Sequence, residues 1–458
     1  MSIREKLIIN NFFSIKNFEW DIKGFNILTG GMASGKSLAL KLLYFCEQVF
    51  KLTVYDATIS KELFQKENFF RKINEEFNKI FISKDHESDY SATVINYSYE
   101  FYESLPKNQS EFIFNEEILP EEHLKLLFDL SAIWDKTELR WSSKYIESRL
   151  ETWQAIFYEK NSPELTEKVR NRVFKTISSN FSNSFPLDAM FIPASRAIAA
   201  ITSTIESRDI FIRKFIILKE FALSFNNEIG GISSERVNKL LRLQNISLDE
   251  ENNKQPVFKL LNGRDINSLE LSSGQQELLY LLLLIHDLKR PGFEYGYNAS
   301  IFIEEPSAHL FPREQKETIE FLVSSFNELK SIWGNSPGHR FFISTHSPYL
   351  LNAFNNCIEK DRLLKIAKNM DDTTEKNAII KKVEELSFPC LPIDNVSAYM
   401  IENEGNVKPM INRDDDEPYI YSEIIDLISQ EITEGTEKLY DINSEIRKLS
   451  QYTSPKVN

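Results

Sequence analysis

The stretch Ile27-Leu28-Thr29-Gly30-Gly31-Met32-Ala33-Ser34-Gly35-Lys36-Ser37 has the residue types of a phosphate cradle. Gly30 and Gly35 bound the loop, and Lys36 and Ser37 follow at the spacing G-x-x-x-x-G-K-[ST]. Gly30 lets the backbone turn sharply, and Gly35 lets it approach phosphate oxygens with no side chain in the way. The loop's N–H groups, from Gly31, Met32, Ala33 and Ser34, and the positive end of the next helix would bind the anion. Lys36 adds a point charge toward the β- and γ-phosphates, and Ser37 offers a hydroxyl to Mg2+. A turn with a chance lysine is the plain alternative. The apolar run into Thr29 and the apolar helix from Leu38 to Phe50 supply the strand and helix that the pattern requires.

Three further segments end in residues that could share this chemistry. Ala299 to Pro306 reads as a strand buried on both faces that ends in Glu304 and Glu305. Two carboxylates there need a cation or water. Glu304 suits Mg2+, directly or through water, and Glu305 suits general-base work on an attacking water. Arg340 to Pro348 is another buried strand, ending in His346, where a γ-phosphate could sit. Leu271-Ser272-Ser273-Gly274-Gln275 opens a very apolar helix. Ser272 and Ser273 are good N-cap residues and Gly274 allows close approach, which makes a second anion site or simply a capped helix. Leu187 to Pro193 is a short apolar strand followed by Ala194-Ser195-Arg196, and Arg196 reads equally as a phosphate sensor or a surface arginine.

The elements that must position these residues are those of a mixed α/β fold. Residues 1–29 read as an antiparallel β start that feeds the loop. Phe12 or Phe13 could lie near a base, but core packing is the favoured role for each. Residues 51–186 read as a mainly helical accessory insertion: a helix over Lys61 to Phe81 with an aromatic stripe, a strand over Ser91 to Tyr102, and helices over Pro120 to Trp134, Ser142 to Phe157 and Pro163 to Phe181. The core then comprises 1–50 and 187–358, and 359–458 forms a C-terminal extension of a hairpin and a helix, without a nuclease domain. Thr204 to Asn226 is the best candidate for a basic patch, although its charges are mixed with acids and a solvated face is favoured.

The chain has 458 residues, 42% hydrophobic and 27% charged, an ordinary balance for globular domains. Its 34 phenylalanines allow a large aromatic core. The longest apolar run, Leu278 to Ile285, is far short of the roughly 20 residues that span a bilayer. Cys46, Cys357 and Cys390 are too widely spaced for a disulfide framework or a zinc set. With no export signal at the N-terminus, a cytoplasmic location is expected. The formal net charge of −14 disfavours a general nucleic-acid coat and leaves room for a local basic groove.

Taken together and in this order, the segments resemble the ABC-type ATPase family. Gly30 to Ser37 matches its Walker A loop and Ile301 to Glu305 its Walker B strand. Leu271 to Gln275 matches its signature, as L-S-S-G-Q where L-S-G-G-Q is usual, and His346 matches its switch histidine. The resemblance implies an ABC-ATPase head: a mixed sheet with an antiparallel β lobe and a P-loop core. It implies ATP and Mg2+ as cofactors, with Ser37 and Glu304 toward the metal and Glu305 and His346 as catalytic groups. It further implies a homodimer or higher homo-oligomer, in which each ATP lies between one copy's Gly30–Ser37 loop and another copy's Ser272, Ser273, Gly274 and Gln275. Glu304 departs from the family's usual aspartate, and a Q-loop glutamine has no clear place.

Within the family the sequence looks like the soluble branch that includes the overcoming-lysogenization-defect (OLD) and structural-maintenance-of-chromosomes ATPases. Residues 192–196, 304–312 and 344–348 are typical of the OLD-like class. OLD enzymes carry a Toprim nuclease after the ATPase. Here Asp414 to Glu417 reads as a solvated acidic loop, with too little chain around it for such a domain. The resemblance therefore extends to the stand-alone ATPase subunits of bacterial anti-phage, abortive-infection systems. The PARIS-type ATPase with a separate Toprim nuclease fits best, and the Septu or retron-associated type with an HNH nuclease next. It implies a sensor that holds a nuclease effector until a phage protein triggers it. A DNA-repair or recombination ATPase is the alternative.

Overall fold

The computed structural model describes residues 2–55, 65–81, 93–104, 123–135, 138–147, 150, 188–194, 246–249, 257–260, 265–266, 271–287, 299–332, 339–370, 374–412 and 419–421. Among them the chain runs β1 (Ser2–Phe12), β2 (Ile15–Asp21), β3 (Phe25–Gly30), α1 (Lys36–Tyr55), α2 (Lys66–Phe81), β4 (Val94–Ser104), β5 (His123–Asp135), β6 (Glu138–Ser142) and β7 (Asp188–Ile192). A small antiparallel sheet follows, β8 (Ile246–Asp249), β9 (Val257–Leu260) and β10 (Asp265–Ile266). Then come α3 (Ser273–Asp287), β11 (Ala299–Glu304), α4 (Pro312–Ile332), β12 (Arg340–Thr345), α5 (Pro348–Asn369), α6 (Thr374–Glu384), β13 (Val396–Ile401), β14 (Val407–Pro409), β15 (Ile411–Asn412) and β16 (Tyr419–Ile420).

Two sheets organise these elements. A five-stranded antiparallel sheet has the order β2-β1-β4-β5-β6, and a six-stranded sheet has the order β14-β13-β3-β12-β11-β7. In the second, β13, β3, β12, β11 and β7 are parallel and β14 closes one edge antiparallel. Every residue of β11 and β12 is buried, as parallel strands covered on both faces must be. One face of this sheet, with Ile27, Ile303 and Ile343, packs on α3, α4 and α5. The other carries Phe191, Phe302 and Phe342 against α1 and the antiparallel lobe. Phe302 and Phe342 stack at 4.5 Å, and Trp20 meets Phe342 edge-on at 5.8 Å, so the two sheets share an aromatic seam. The expected mixed sheet with an antiparallel β lobe and a P-loop core is the fold found.

Three expectations need correction. Pro120 to Trp134 is not a helix: β5 occupies His123–Asp135, and Phe128, Leu130 and Ala132 alternate into the core while Ile133 points out. Leucine-rich composition suggested a helix, but the burial period is two, not 3.6. In consequence β4, β5 and β6 belong to the N-terminal lobe's sheet rather than to a separate helical unit. The central sheet also runs past residue 358, because β13 lies beside β3. Ser397 on β13 donates a hydrogen bond to the buried Asn26 Oδ1 on β3 at 2.7 Å, so the C-terminal segment is sewn into the core. The helix over Lys61 to Phe81 is described from Lys66, and its Phe69, Ile73 and Phe77 form a packing face against Phe12, Phe45 and Trp141. The expected helices at Pro163 to Phe181 and Thr204 to Asn226, and a helix from Ser422, lie outside the described residues.

A buried charge cluster pins lobe, helix and sheet together. Arg340 at the start of β12 pairs with Glu5 of β1 and with Glu47 of α1, the latter at 2.7 Å, and bonds Ser300 Oγ of β11 at 2.8 Å. Tyr97 of β4 donates to Glu5 at 2.7 Å. Burial lowers the Arg340 guanidinium to about 9, still charged at neutral pH, and raises the Glu47 carboxyl well above its usual range. Breaking such a cluster strands the carboxyls in the core. Arg340→Met is therefore expected to lower unfolding stability by about 3–5 kcal/mol, read by urea denaturation. A change within error would show that the cluster contributes nothing net.

Candidate functional site

The parallel register brings the strand ends together. Thr29 of β3 pairs with Thr345 of β12, and Ser344 of β12 pairs with Glu304 of β11. The loop after β3, the acids after β11 and the histidine after β12 therefore open on one edge of the sheet.

The loop has the backbone that its glycines were expected to allow. Gly30 has φ 142° and Gly35 φ 109°, in the region that favours glycine. A Cβ on Gly30 would lie 2.2 Å from the Ile401 carbonyl oxygen, and one on Gly35 would lie 2.7 Å from Ser14 Oγ. Gly31, Met32 and Ala33 are exposed and Ser34 is buried. Lys36 is 7% exposed, and its ammonium donates to the carbonyls of Gly30 at 2.9 Å and Gly31 at 2.7 Å. Burial pulls the Lys36 pKa down and the charge of Glu305 pushes it back up. Ser37 is half-buried in the first turn of α1.

Glu304 is 5% exposed; its Oε2 accepts from the Ala194 N–H beyond β7 at 3.2 Å, and Lys41 approaches its Oε1 at 3.7 Å. Glu305 takes a left-handed backbone, φ 44°, fixed by its N–H to the Ser344 carbonyl at 2.9 Å. Its Oε2 lies 2.9 Å from His346 Nδ1. The structure thus joins the two groups singled out for catalysis. After Glu305 the chain folds tightly, Ala308 N–H to Glu305 O at 3.0 Å and Leu310 N–H to Ser307 O at 3.1 Å, with His309 at φ 61°.

The helix start at Ser272 is a reciprocal cap. The Ser272 N–H donates to Gln275 Oε1 at 2.8 Å, and the Gln275 N–H donates to Ser272 Oγ at 3.4 Å. Ser272 and Ser273 are exposed, and Gly274 is buried against the turn after Glu305, where a Cβ would meet His309 O at 2.6 Å. The segment meets the acid-bearing turn of its own chain.

The residues fit a nucleotide with a divalent ion. The hydroxyls of Thr29, Ser34 and Ser344 are buried with no hydrogen-bond partner among the described residues, polar atoms that a phosphate or a hydrated ion would satisfy. Among the described residues no three His, Cys, Asp or Glu side chains converge. Protein ligands to a metal would then be Ser37 and Glu304, with phosphate and water completing the shell, as suits Mg2+.

The hairpin expected over Val396 to Ile411 is β13 and β14, but the sequence did not show that its turn lies against the loop. Ile401 pairs with Gly30, and Asn403 Oδ1 would meet a Cβ on Gly31 at 2.7 Å. Gly405, φ 81°, accepts at its carbonyl from the Lys16 N–H at 2.9 Å and leaves no room for a side chain beside Ser14 O. The run Glu402-Asn403-Glu404-Gly405 was the available signal for a tight turn. Phe12 is fully buried, in the core role that was favoured, and Phe13 packs partly buried beside it at 4.9 Å. Arg196 and Asp414 to Glu417 lie outside the described residues.

The profile of the AAA ATPase domain family matches residues 1–351 of the chain. No curated protein matches it. Solved structures that resemble it include the Smc head bound to the C-winged helix domain of ScpA, at 14% identity over 76% of this chain and 91% of that one, TM-score 0.35. Others are the SMC head domain from Thermotoga maritima, 13% over 77% and 92%, TM-score 0.33, and a Smc head domain with an extended coiled coil bound to the C-terminal domain of ScpA derived from Pyrococcus furiosus, 12% over 94% and 99%, TM-score 0.33.

The close approach at Gly30 yields a test that touches no charge. Gly30→Ala is expected to abolish binding of a fluorescent ATP analogue, because the strained φ and the Ile401 carbonyl both forbid the loop's shape. Binding within about twofold of the parent would show that the loop tolerates another path.

Proposed function

The chain belongs to the AAA ATPase domain family, and from that premise we propose that it is the ATP-binding and hydrolysing sensor and scaffold subunit of a bacterial anti-phage system, holding a separate nuclease that it releases or activates on infection. The ATPase reading rests above all on the contact of Glu305 with His346 at 2.9 Å, at the ends of β11 and β12, the second of which lies beside the strand that feeds the loop of Lys36.

The roles follow from position. The N–H groups of residues 31–35 and the start of α1 bind phosphate oxygens. Lys36 exchanges the Gly30 and Gly31 carbonyls for phosphate. Ser37 and Glu304 would hold Mg2+, which would supply positive charge beside the phosphates. Glu305 orients an attacking water and takes its proton, and His346, 2.9 Å from Glu305, lies toward the transferred phosphate. In a pair of copies arranged head-to-tail, the exposed Ser272 and Ser273 at the capped helix start of one copy close over the loop of the other, so ATP joins the copies and hydrolysis loosens them. The defence role and the nuclease partner, Toprim-like in preference to HNH-like, with a phage protein as trigger, are supported by the OLD-like runs at 192–196, 304–312 and 344–348. Of these, Ile192, Glu304 and Ser344 stand at or beside the C-terminal ends of neighbouring parallel strands.

Two variants and one co-expression test this. Lys36→Ala is expected to weaken ATP binding on the order of ten- to a hundredfold, the worth of a charged hydrogen bond; unchanged affinity would undo the nucleotide site. Glu305→Gln is expected to keep ATP affinity, to lower turnover by roughly 10²–10⁴ and to accumulate an ATP-linked dimer in gel filtration. Unchanged turnover would leave Glu305 without a chemical role. Co-expression with the product of the adjacent gene is expected to give a complex; a chain that stays alone, with an ATPase rate raised by added DNA, would favour a repair or recombination ATPase instead.

A further inference from the structure

Glu305 and His346 must be held in contact by something other than their own attraction. His346 is 61% exposed, and a pair with one member so open to solvent contributes little by itself. Each sits on a strand-end segment that turns away from the sheet at once. A single side chain of α4 bridges those two segments. Ser347, the residue after His346, donates its hydroxyl to Gln315 Oε1 at 2.5 Å. Gln315 Nε2 donates to the carbonyl of Leu310, at the end of the turn that begins with Glu305, at 2.8 Å. The circuit Glu305, Leu310, Gln315, Ser347, His346 is thereby closed by hydrogen bonds and short backbone segments.

We propose that Gln315 is a positioning residue for ATP hydrolysis, fixing the turn that carries Glu305 against the segment that carries His346, and through that turn the helix start at Gly274. The inference rests on the ATPase reading above. Three features favour a dedicated tie over incidental packing. Ser347 is buried, so its hydroxyl is committed to Gln315 and not shared with water. Ser347 stands at the N-cap of α5 yet makes no side-chain cap bond there, so its hydroxyl serves the link and not the helix. The tied turn is the one whose His309 carbonyl lies against Gly274, so a shift of Gln315 reaches Ser272–Gln275 of the same chain. When two copies share their sites, the bridge then links the catalytic pair at one nucleotide to the helix start that serves the other.

The test uses the full chain with Gln315→Met, Ser347→Ala and the double variant. Each single variant is expected to lower kcat about tenfold, as loss of an orienting partner commonly does. KM for ATP stays within about twofold, because the loop and Lys36 are untouched. The double variant is expected to be no worse than the worse single, because both remove one link. The melting temperature and the affinity for a non-hydrolysable ATP analogue are expected to stay at the parent's values. Unchanged kcat in either variant, a double equal to the product of the singles, or a rise in KM without loss of kcat would overturn the assignment. Ser347→Ala decides the matter alone if Gln315→Met fails to fold. An inactive parent would sink the ATPase reading itself, whereas an active parent with active variants sinks only the role of Gln315.

Discussion

Thr29 against Thr345, and Ser344 against Glu304: these register pairs across β3, β12 and β11 are the constraint on which the site depends. Side chains alternate along a strand, so a slip of one residue would send Glu304 to the opposite face and move every Phe and Ile of the core with it. The register is secured along the strands: Phe25 stacks on Phe341 at 5.4 Å on one face, at the entry of β3 and β12, and Phe302 stacks on Phe342 at 4.5 Å on the other, in mid-strand. Arg340 adds a polar lock at the entry of β12, where Glu5, Glu47 and Ser300 from three other elements accept its bonds. Apolar stacking sets depth, and the buried charges set which strand lies beside which.

Of the five non-glycine residues in left-handed backbone among the described residues, Ala33, Glu305 and His309 lie in the loop or in the turn after Glu305, and Asn11 and Phe13 in the β1–β2 turn, each at a cost of roughly 1–3 kcal/mol. Surrounding bonds hold the turn after Glu305: Glu305 N–H to Ser344 O, Leu310 N–H to Ser307 O, Gln315 to Leu310 O. A strained Glu305 points its carboxylate at His346 instead of continuing the strand, an orientation that no extended residue at that position would give.

Much of this was legible in the residues. Gly30, Gly35, Lys36, Glu304, Glu305 and His346 could be singled out because glycines at a fixed spacing and acids at the end of an apolar strand are locally costly unless something uses them. The two-sided burial of β11 and β12 was legible from unbroken apolar runs. β5 was not, because its leucines mask an alternation that shows only when Phe128, Leu130 and Ala132 face a neighbour. The contribution of β13 was hidden for a different reason. Val396 to Ile401 looks like any hairpin strand, and only pairing with residues some 370 positions earlier makes it a wall of the loop. Gln315 carried no signal at all: an amide on a charged helix becomes informative only when Ser347 and Leu310 are placed on either side of it.

The Lys36 ammonium is buried yet not left bare, because the carbonyls of Gly30 and Gly31 and the nearby Glu305 take up its charge. A phosphate taken by Lys36 would replace two neutral acceptors with a charged one, and the gain would be the net of that exchange. Gly30 and Gly31 also stand close against the β13–β14 turn, where a Cβ on them would meet Ile401 O and Asn403 Oδ1. Glu305 lies within reach of both Lys36 and His346, its charge acting on Lys36 and its Oε2 2.9 Å from His346 Nδ1. The loop's glycines thus stand between two other parts of the site, the β13–β14 turn, where Ile401 pairs with Gly30, and Glu305, whose charge acts on Lys36.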